Sequence, residues 1–158
     1  MNPTPDNGTN QETGFCFHGS YERAVDAKGR FNLPFRFRRG GGAADDEQYV
    51  VTVGPDGSLS LFPREEWEKA FNRIRSRSSS AEWRARVRQI SDNSAKLDPD
   101  AQGRVMIPAS FLEQVGVGRR VKVVGMGHYM ELWEPERFVQ SQQTLAEPDS
   151  EFMDEFFS

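Results

Sequence analysis

Asp26-Ala27-Lys28-Gly29-Arg30-Phe31-Asn32-Leu33-Pro34 returns further along the chain as Asp100-Ala101-Gln102-Gly103-Arg104-Val105-Met106-Ile107-Pro108. Asp, Ala, Gly, Arg and Pro recur in register, and the apolar positions exchange one apolar residue for another. Each copy reads as a strand end, a tight turn carrying an arginine, a second strand and a proline stop. Glycine suits a positive φ in such a turn, and aspartate can bond the turn's own amides. The duplication extends outward. The first copy continues into Tyr49-Val50-Val51-Thr52-Val53-Gly54, a Pro55-Asp56-Gly57 turn and Leu59-Ser60-Leu61-Phe62. The second continues into Val121-Lys122-Val123-Val124-Gly125, a Met126-Gly127-His128 turn and Met130-Glu131-Leu132-Trp133. Gly54 matches Gly125, Leu61 matches Leu132 and Trp67 matches Phe138. A period of roughly 70 residues is too long for a stacking solenoid, so two copies form one pseudo-symmetric pair.

The bulk numbers fit that reading. The chain has 158 residues, 36% of them hydrophobic, with 12 Phe and 3 Trp. Halves of roughly 60 to 70 residues are marginal alone, which favours two halves packed on each other. No run of about 18 apolar residues suggests a membrane span. Met1 to Thr13 has neither a basic start nor an apolar stretch, so no signal peptide is expected. Cys16 is the only cysteine, and the expected compartment is the cytoplasm. The net charge is −4 and the pI near 5.3, which at first argues against nucleic acid. The charge is unevenly spread, however. Residues 131–158 carry eight acids against Arg137, leaving +3 on residues 1–130. Tyr21 to Arg39 holds Arg23, Lys28, Arg30, Arg36, Arg38 and Arg39 against Glu22 and Asp26. Screening confines each field to about 8–10 Å, so a locally basic stretch on an acidic chain still attracts phosphate.

Along the chain, residues 1–14 read as a disordered extension. Residues 15–96 form the first half, with strands over about 48–54 and 58–62. A short helical turn is expected from Pro34 to about Arg39, followed by a loop from Gly40 to Glu47. A helix opens at Pro63 with Trp67, Phe71 and Ile74 on one face. Ser79-Ser80-Ala81-Glu82 fits a capping box for the next helix, which carries Trp83, Val87 and Ile90 at the same spacing. Ser91 to Lys96 reads as a link. Residues 97–146 form the second half, with a short helix from Pro108 to Val115 ended by Gly116 and a last helix from Pro135 to about Leu145. Residues 147–158 are an acidic tail, expected to be mostly disordered. The fold class is α+β.

The candidate site residues are Asp26, Lys28, Gly29 and Arg30 in the first turn, and Gln102, Gly103 and Arg104 in the second. A guanidinium can fork onto guanine O6 and N7, worth about 1–3 kcal/mol of discrimination per base. Lys28 adds a phosphate contact, and a glycine lets backbone approach closely. The same residues also fit a plain hairpin whose arginine pairs with Asp26 or Asp100. Arg73, Arg75, Arg77, Arg84, Arg86 and Arg88 read as the solvated faces of their helices, some pairing with acids of a neighbouring subunit. The aromatic pairs Phe62/Trp67 and Trp133/Phe138 fall on strand and helix periods, as packing residues do. His18, His128 and Cys16 are too scattered for metal ligation. Gly40-Gly41-Gly42 lacks the Gly-Lys-Ser/Thr ending of a phosphate loop. Neither enzyme activity nor a cofactor is expected.

Tyr21-Glu22, Asp26-Ala27-Lys28-Gly29-Arg30 with Leu33-Pro34, then Gln102-Gly103-Arg104 with Ile107-Pro108, together resemble the MraZ family over about Phe17 to Gln143. The resemblance implies two tandem AbrB-like swapped-hairpin halves and a ring-shaped homo-oligomer. It also implies a nucleoid-associated transcriptional regulator. Such regulators bind short, repeated G-rich elements in double-stranded DNA, upstream of their own operon of division and cell-wall genes. The family's DNA-contacting loop falls on Asp26 to Arg30. The second loop falls on Asp100 to Arg104, with Gln102 in the place of Lys28. The N-terminal extension, the Gly40–Glu47 loop and the acidic tail depart from the shorter family pattern. The rival readings are an oligomeric interaction scaffold and an AbrB-type antitoxin whose tail wraps a toxin.

Overall fold

The computed structural model describes residues 16–33, 47–145 and 149–158. Within these, a six-stranded antiparallel sheet has the order β1 (Ser20–Ala24), β7 (Arg120–Gly125), β8 (Met130–Trp133), β4 (Leu59–Pro63), β3 (Tyr49–Val53), β5 (Ser94–Leu97). A separate ribbon pairs β2 (Arg30–Asn32) with β6 (Arg104–Met106). Period-two alternation sends Val51, Leu59, Leu61, Val121, Val123, Met130 and Leu132 into one core. Phe31, Leu33, Val105 and Ile107, from the ribbon and the residues after it, join them there. Leu112 and Val115 of α3 (Ala109–Val115) complete that core.

The two halves are interleaved. β2 does not return along β1, as a hairpin reading of each turn expects. It pairs instead with β6 of the other half, while β1 pairs with β7. The registers locate a pseudo-twofold axis. Phe31 lies opposite its own repeat equivalent Val105, and Ser60 lies opposite its equivalent Glu131. Leu59 faces Leu132 and Leu61 faces Met130, as an axis between β4 and β8 requires. The α+β architecture of two swapped halves is therefore present in the strand pairing.

Two of the other helices pack on the sheet's other face. α1 (Arg64–Arg77) has Glu65 and Glu66 in its first turn and Arg75 and Arg77 in its last, each sign matched to the helix dipole. Phe62 of β4 meets Trp67 edge-on at 5.6 Å. The repeat equivalents Trp133 and Phe138 do the same at 5.7 Å, seating α4 (Pro135–Gln143). α2 (Ala81–Asp92) is capped by Ser80, which accepts from the Trp83 amide at 3.1 Å. The expected box beginning at Ser79 is thus one residue early, and Glu82 sits in the first turn. α3 ends at Gly116 with φ 74°, as its sequence predicts.

Two further readings differ from the structure. Ser91 to Lys96 is not a plain link: α2 runs to Asp92, and β5 begins at Ser94 to form the edge beside β3. The tail contains a helix, α5 (Ser150–Phe157), whose N-cap Asp149 accepts from the Glu151 amide at 3.0 Å. The helical turn expected at Pro34 to Arg39 and the loop up to Asp46 lie outside the described residues, as does the extension up to Phe15.

Candidate nucleic-acid interface

Each turn is built around one carboxylate. Asp26 Oδ1 accepts from the amides of Lys28 and Arg30, both at 2.9 Å, and Oδ2 accepts from Arg30 Nε at 2.7 Å. Asp100 repeats the set with Gln102 at 2.9 Å, Arg104 at 3.0 Å and Arg104 Nε at 2.8 Å. The backbone closes each turn: Gly29 N donates to Asp26 O at 3.0 Å, and Gly103 N to Asp100 O at 2.9 Å. Gly29 and Gly103 hold φ at 81° and 75°, the left-handed region that β-carbons disfavour. The Arg30 amide, followed by the Arg30 guanidinium and the Lys28 amide, lowers the Asp26 pKa against an opposing desolvation. Asp100 is lowered by the corresponding groups of Arg104 and Gln102. Both carboxylates therefore stay charged at neutral pH and fix the arginines.

Pairing of arginine with aspartate is what the plain-hairpin reading expects. It is also an orienting device. Only Nε is engaged, and among the described residues no hydrogen bond or ion pair holds the terminal guanidinium nitrogens of Arg30 or Arg104. The side chains are 31% and 28% exposed, enough for those nitrogens to meet a ligand. The fork keeps its bidentate edge, and its rotamers are already restricted.

The ribbon places both arginines on one surface. In antiparallel pairing, partners share a face, and residues two apart along a strand share it too. Arg30 pairs with Met106 and Asn32 with Arg104, so all four side chains lie on one side, while Phe31 and Val105 are buried on the other. Arg30 and Arg104 are diagonal neighbours, about 7–8 Å apart. Met106 is 54% exposed, an apolar group beside two cations. Asn32 and Met106 are absent from the sequence-derived site. The alternation Arg30-Phe31-Asn32-Leu33 points them outward, but only the β2–β6 pairing brings them beside the partner arginine.

Lys28 and Gln102 are exposed at the tips of their turns. Gly29 and Gly103 are buried, and the close approach that Gly29 permits is internal. A β-carbon there would lie 2.5 Å from the Ile107 carbonyl oxygen, and Ile107 N donates to Gly29 O at 2.9 Å. Gly29 thus joins the first turn to the end of the second half's strand. Among the described residues no three His, Cys, Asp or Glu side chains group for a metal ion, and no helix is long and apolar enough to cross a membrane.

Comparison with known proteins agrees with the duplication. The family described as "MraZ protein, putative antitoxin-like" matches twice, over residues 16–90 and 92–155. A protein of Polaromonas sp. (strain JS666 / ATCC BAA-500) named Transcriptional regulator MraZ is 34% identical over 140 residues, covering 87% of this chain and 97% of its own. Its namesake in Lachnoclostridium phytofermentans is 32% identical over 140 residues, covering 89% and 96%. That of Acidovorax sp. (strain JS42) is 36% identical over 118 residues, covering 75% and 82%.

Proposed function

Because this chain belongs to the MraZ family, we propose that it is a transcriptional regulator that binds double-stranded DNA sequence-specifically through the β2–β6 ribbon and its two turns. The observation that carries this reading is the shared exposed face of Arg30, Asn32, Arg104 and Met106, with each arginine held by an aspartate behind it. The major groove admits a two-stranded ribbon, and an arginine fork there pairs with guanine O6 and N7. Asp26 and Asp100 orient the forks. Lys28 and Gln102 stand at the turn tips, where Lys28 meets phosphate and Gln102 offers an amide. Met106 offers apolar contact of the kind a thymine methyl accepts. The protein needs no cofactor or metal in this role, catalyses nothing, and works in the cytoplasm at the nucleoid.

One ribbon supplies too little discrimination to find a promoter among about 10⁶ competing sites. The proposal therefore includes self-assembly into a ring that sets many ribbons along one surface. Short repeated elements upstream of its own operon of division and cell-wall genes would engage several ribbons at once, and linkage multiplies weak contacts. The test is a titration on one, two and three repeats of the protein's own upstream region. Affinity should rise steeply with repeat number. Shifting one repeat by about 5 bp, half a helical turn, should remove most of the gain. Equal affinity for one and three repeats refutes the multivalent mechanism. Absence of salt-dependent binding to any of them favours a scaffold or antitoxin.

A further inference from the structure

The two halves each end in a pair of helices, and the pairs are finished differently. In the first half α2 folds back on α1: Trp83 Nε1 donates to the Ile74 carbonyl at 2.6 Å, and the Arg77 guanidinium lies 5.3 Å from the Trp83 ring. In the second half α5 follows α4 in the same order, yet every residue of α5 is exposed. Its composition does not suit that exposure. Phe152, Met153, Phe156 and Phe157 share one face, with Phe152 63%, Phe156 72% and Phe157 74% exposed. Glu151, Asp154 and Glu155 occupy the opposite face, and Asp149 caps the helix. An eight-residue helix with such a stripe is stabilised mainly by packing against something else.

The first half has an opening of complementary character. α1 and α2 contain no fully buried residue. Between them and the β3–β4 hairpin lies a cavity of about 320 Å³ walled by Phe62, Trp67, Phe71, Ile74, Ile90 and Tyr129. A cavity of about 150 Å³ takes one benzene ring, so this one has room for two. Phe152 and Phe156 stack with centroids 6.3 Å apart, a pair of matching size. Arg73 of α1 lines the cavity, and α1 and α2 carry five further arginines, Arg75, Arg77, Arg84, Arg86 and Arg88. Of these, only Arg86 is in an ion pair among the described residues, with Glu82. Asp149 and α5 bring four acids and no base.

We propose that α5 of one copy docks into the α1/α2 cavity of a neighbouring copy, seating Phe152 and Phe156 among the aromatic side chains while its acids meet Arg73. The occupant is a second copy because a single chain leaves helix and cavity open together. α4, from which α5 departs, lies over β7 and β8, while the cavity lies over β3 and β4. The acids of α5 and the Arg73 that lines the cavity are of opposite sign, so helix and cavity complement each other in charge as well as in size. The inference rests on the proposal that the chain self-assembles and is independent of the DNA reading.

Cross-linking in full-length protein tests it. In a Cys16→Ser background, one preparation carries Phe156→Cys and a second carries Ile90→Cys. Mixed, reassembled and oxidised, the two should give a covalent dimer that neither gives alone. A chain carrying both substitutions that cross-links only within itself, with no dimer from the mixture, overturns the proposal. So does a mixture with no cross-link. Independently, Phe152→Ser with Phe156→Ser should shift sedimentation velocity to smaller species, with the far-UV circular dichroism of the sheet unchanged. Full-sized assemblies from this variant would sink the docking model and leave self-assembly standing. A wild-type chain that is monomeric at all concentrations would sink both. Charge reversal at Arg73 should weaken assembly in low salt, and reversal of Glu151 and Glu155 should rescue it. Failure of that rescue removes the ionic part of the proposal.

Discussion

The first and second turns hold the same hydrogen bonds to within about 0.1 Å, yet they hold out different chemistry. The first shows Lys28 at its tip and Asn32 beyond its arginine, and the second shows Gln102 and Met106 at the equivalent places. Backbone and carboxylate have kept the geometry of both, so on the exposed face the divergence lies in the side chains at the tips and beyond the arginines. A turn that served only to reverse the chain would have no need to retain an oriented guanidinium in both copies. The difference suggests a division of labour on one ribbon. On the proposed DNA reading, the first copy would attract backbone phosphate and polar base edges. The second presents the same fork with an apolar neighbour and no extra charge.

The equivalence of the turns breaks most easily at the forks. Arg30→Ala should lower affinity for the protein's own upstream region about 100-fold or more, since one bidentate base contact is worth about 1–3 kcal/mol and several copies act together. Titration of a variant shown by sedimentation to be correctly assembled measures this, and unchanged affinity would exclude Arg30 as a reader. Next in size is Gly29→Ala. It combines a left-handed φ with an approach of 2.5 Å to a backbone oxygen, and should cost about 2 kcal/mol or more in denaturant unfolding. A neutral result would mean that the join between Gly29 and Ile107 yields easily. Arg104→Ala should cost about tenfold in affinity, less than Arg30→Ala, because no lysine accompanies it. A larger drop than for Arg30→Ala would reverse the assignment and make the second turn the reader.

Smaller effects sharpen the contrast. Lys28→Gln makes the first tip like the second. It should reduce the slope of log K against log salt by about 0.9 for each phosphate that the lysine neutralises, across all sequences alike. Gln102→Lys should steepen the slope, and no change in either variant would mean that the tips do not reach DNA. The smallest expected difference is acid response. Folded Asp26 and Asp100 have lowered pKa values with the same ordered causes. Their stabilising contribution is complete above the unfolded carboxylate pKa and disappears as pH falls through the lower folded values. Asp26→Asn and Asp100→Asn keep a turn-forming acceptor, and each should flatten the acid limb of a stability–pH curve to a similar extent. Flattening by one alone would show that the turns are electrostatically unequal.

Much of this organisation is legible in the residues. The duplication marks both turns, Pro63 and Pro135 mark helix starts, Gly116 marks a helix end, and aromatic spacing marks the faces of α1 and α2. Strand partnership is not legible in the same way. Alternation in Arg30-Phe31-Asn32-Leu33 says which side chains are buried, but it is satisfied equally by pairing with β1 or with β6. The face shared by Arg30 and Arg104 therefore emerges only with the long-range register. β5 is hidden because Ser94-Ala95-Lys96-Leu97 lacks β-branched residues and is held by its edge pairing with β3. α5 is hidden because eight residues span little more than two turns, and its acids Glu151, Asp154 and Glu155 mask the apolar stripe between them. Ser79 and Ser80 are equivalent as caps by residue type, and only the backbone bend chooses Ser80.

The pseudo-twofold axis has a consequence for the history of the chain. Where an axis crosses a pair of strands, each residue meets its own counterpart, and an assembly of identical halves would have to meet itself there. This chain has Phe31 opposite Val105 and Ser60 opposite Glu131. Two copies of the first half would bring two phenyl rings into space filled by one ring and one isopropyl group. Two copies of the second half would leave a void there and drive two carboxylates together in a buried position. Each half has grown to fit its sibling and no longer fits its twin. Joining the halves in one polypeptide is therefore a commitment that cutting the linker would not reverse.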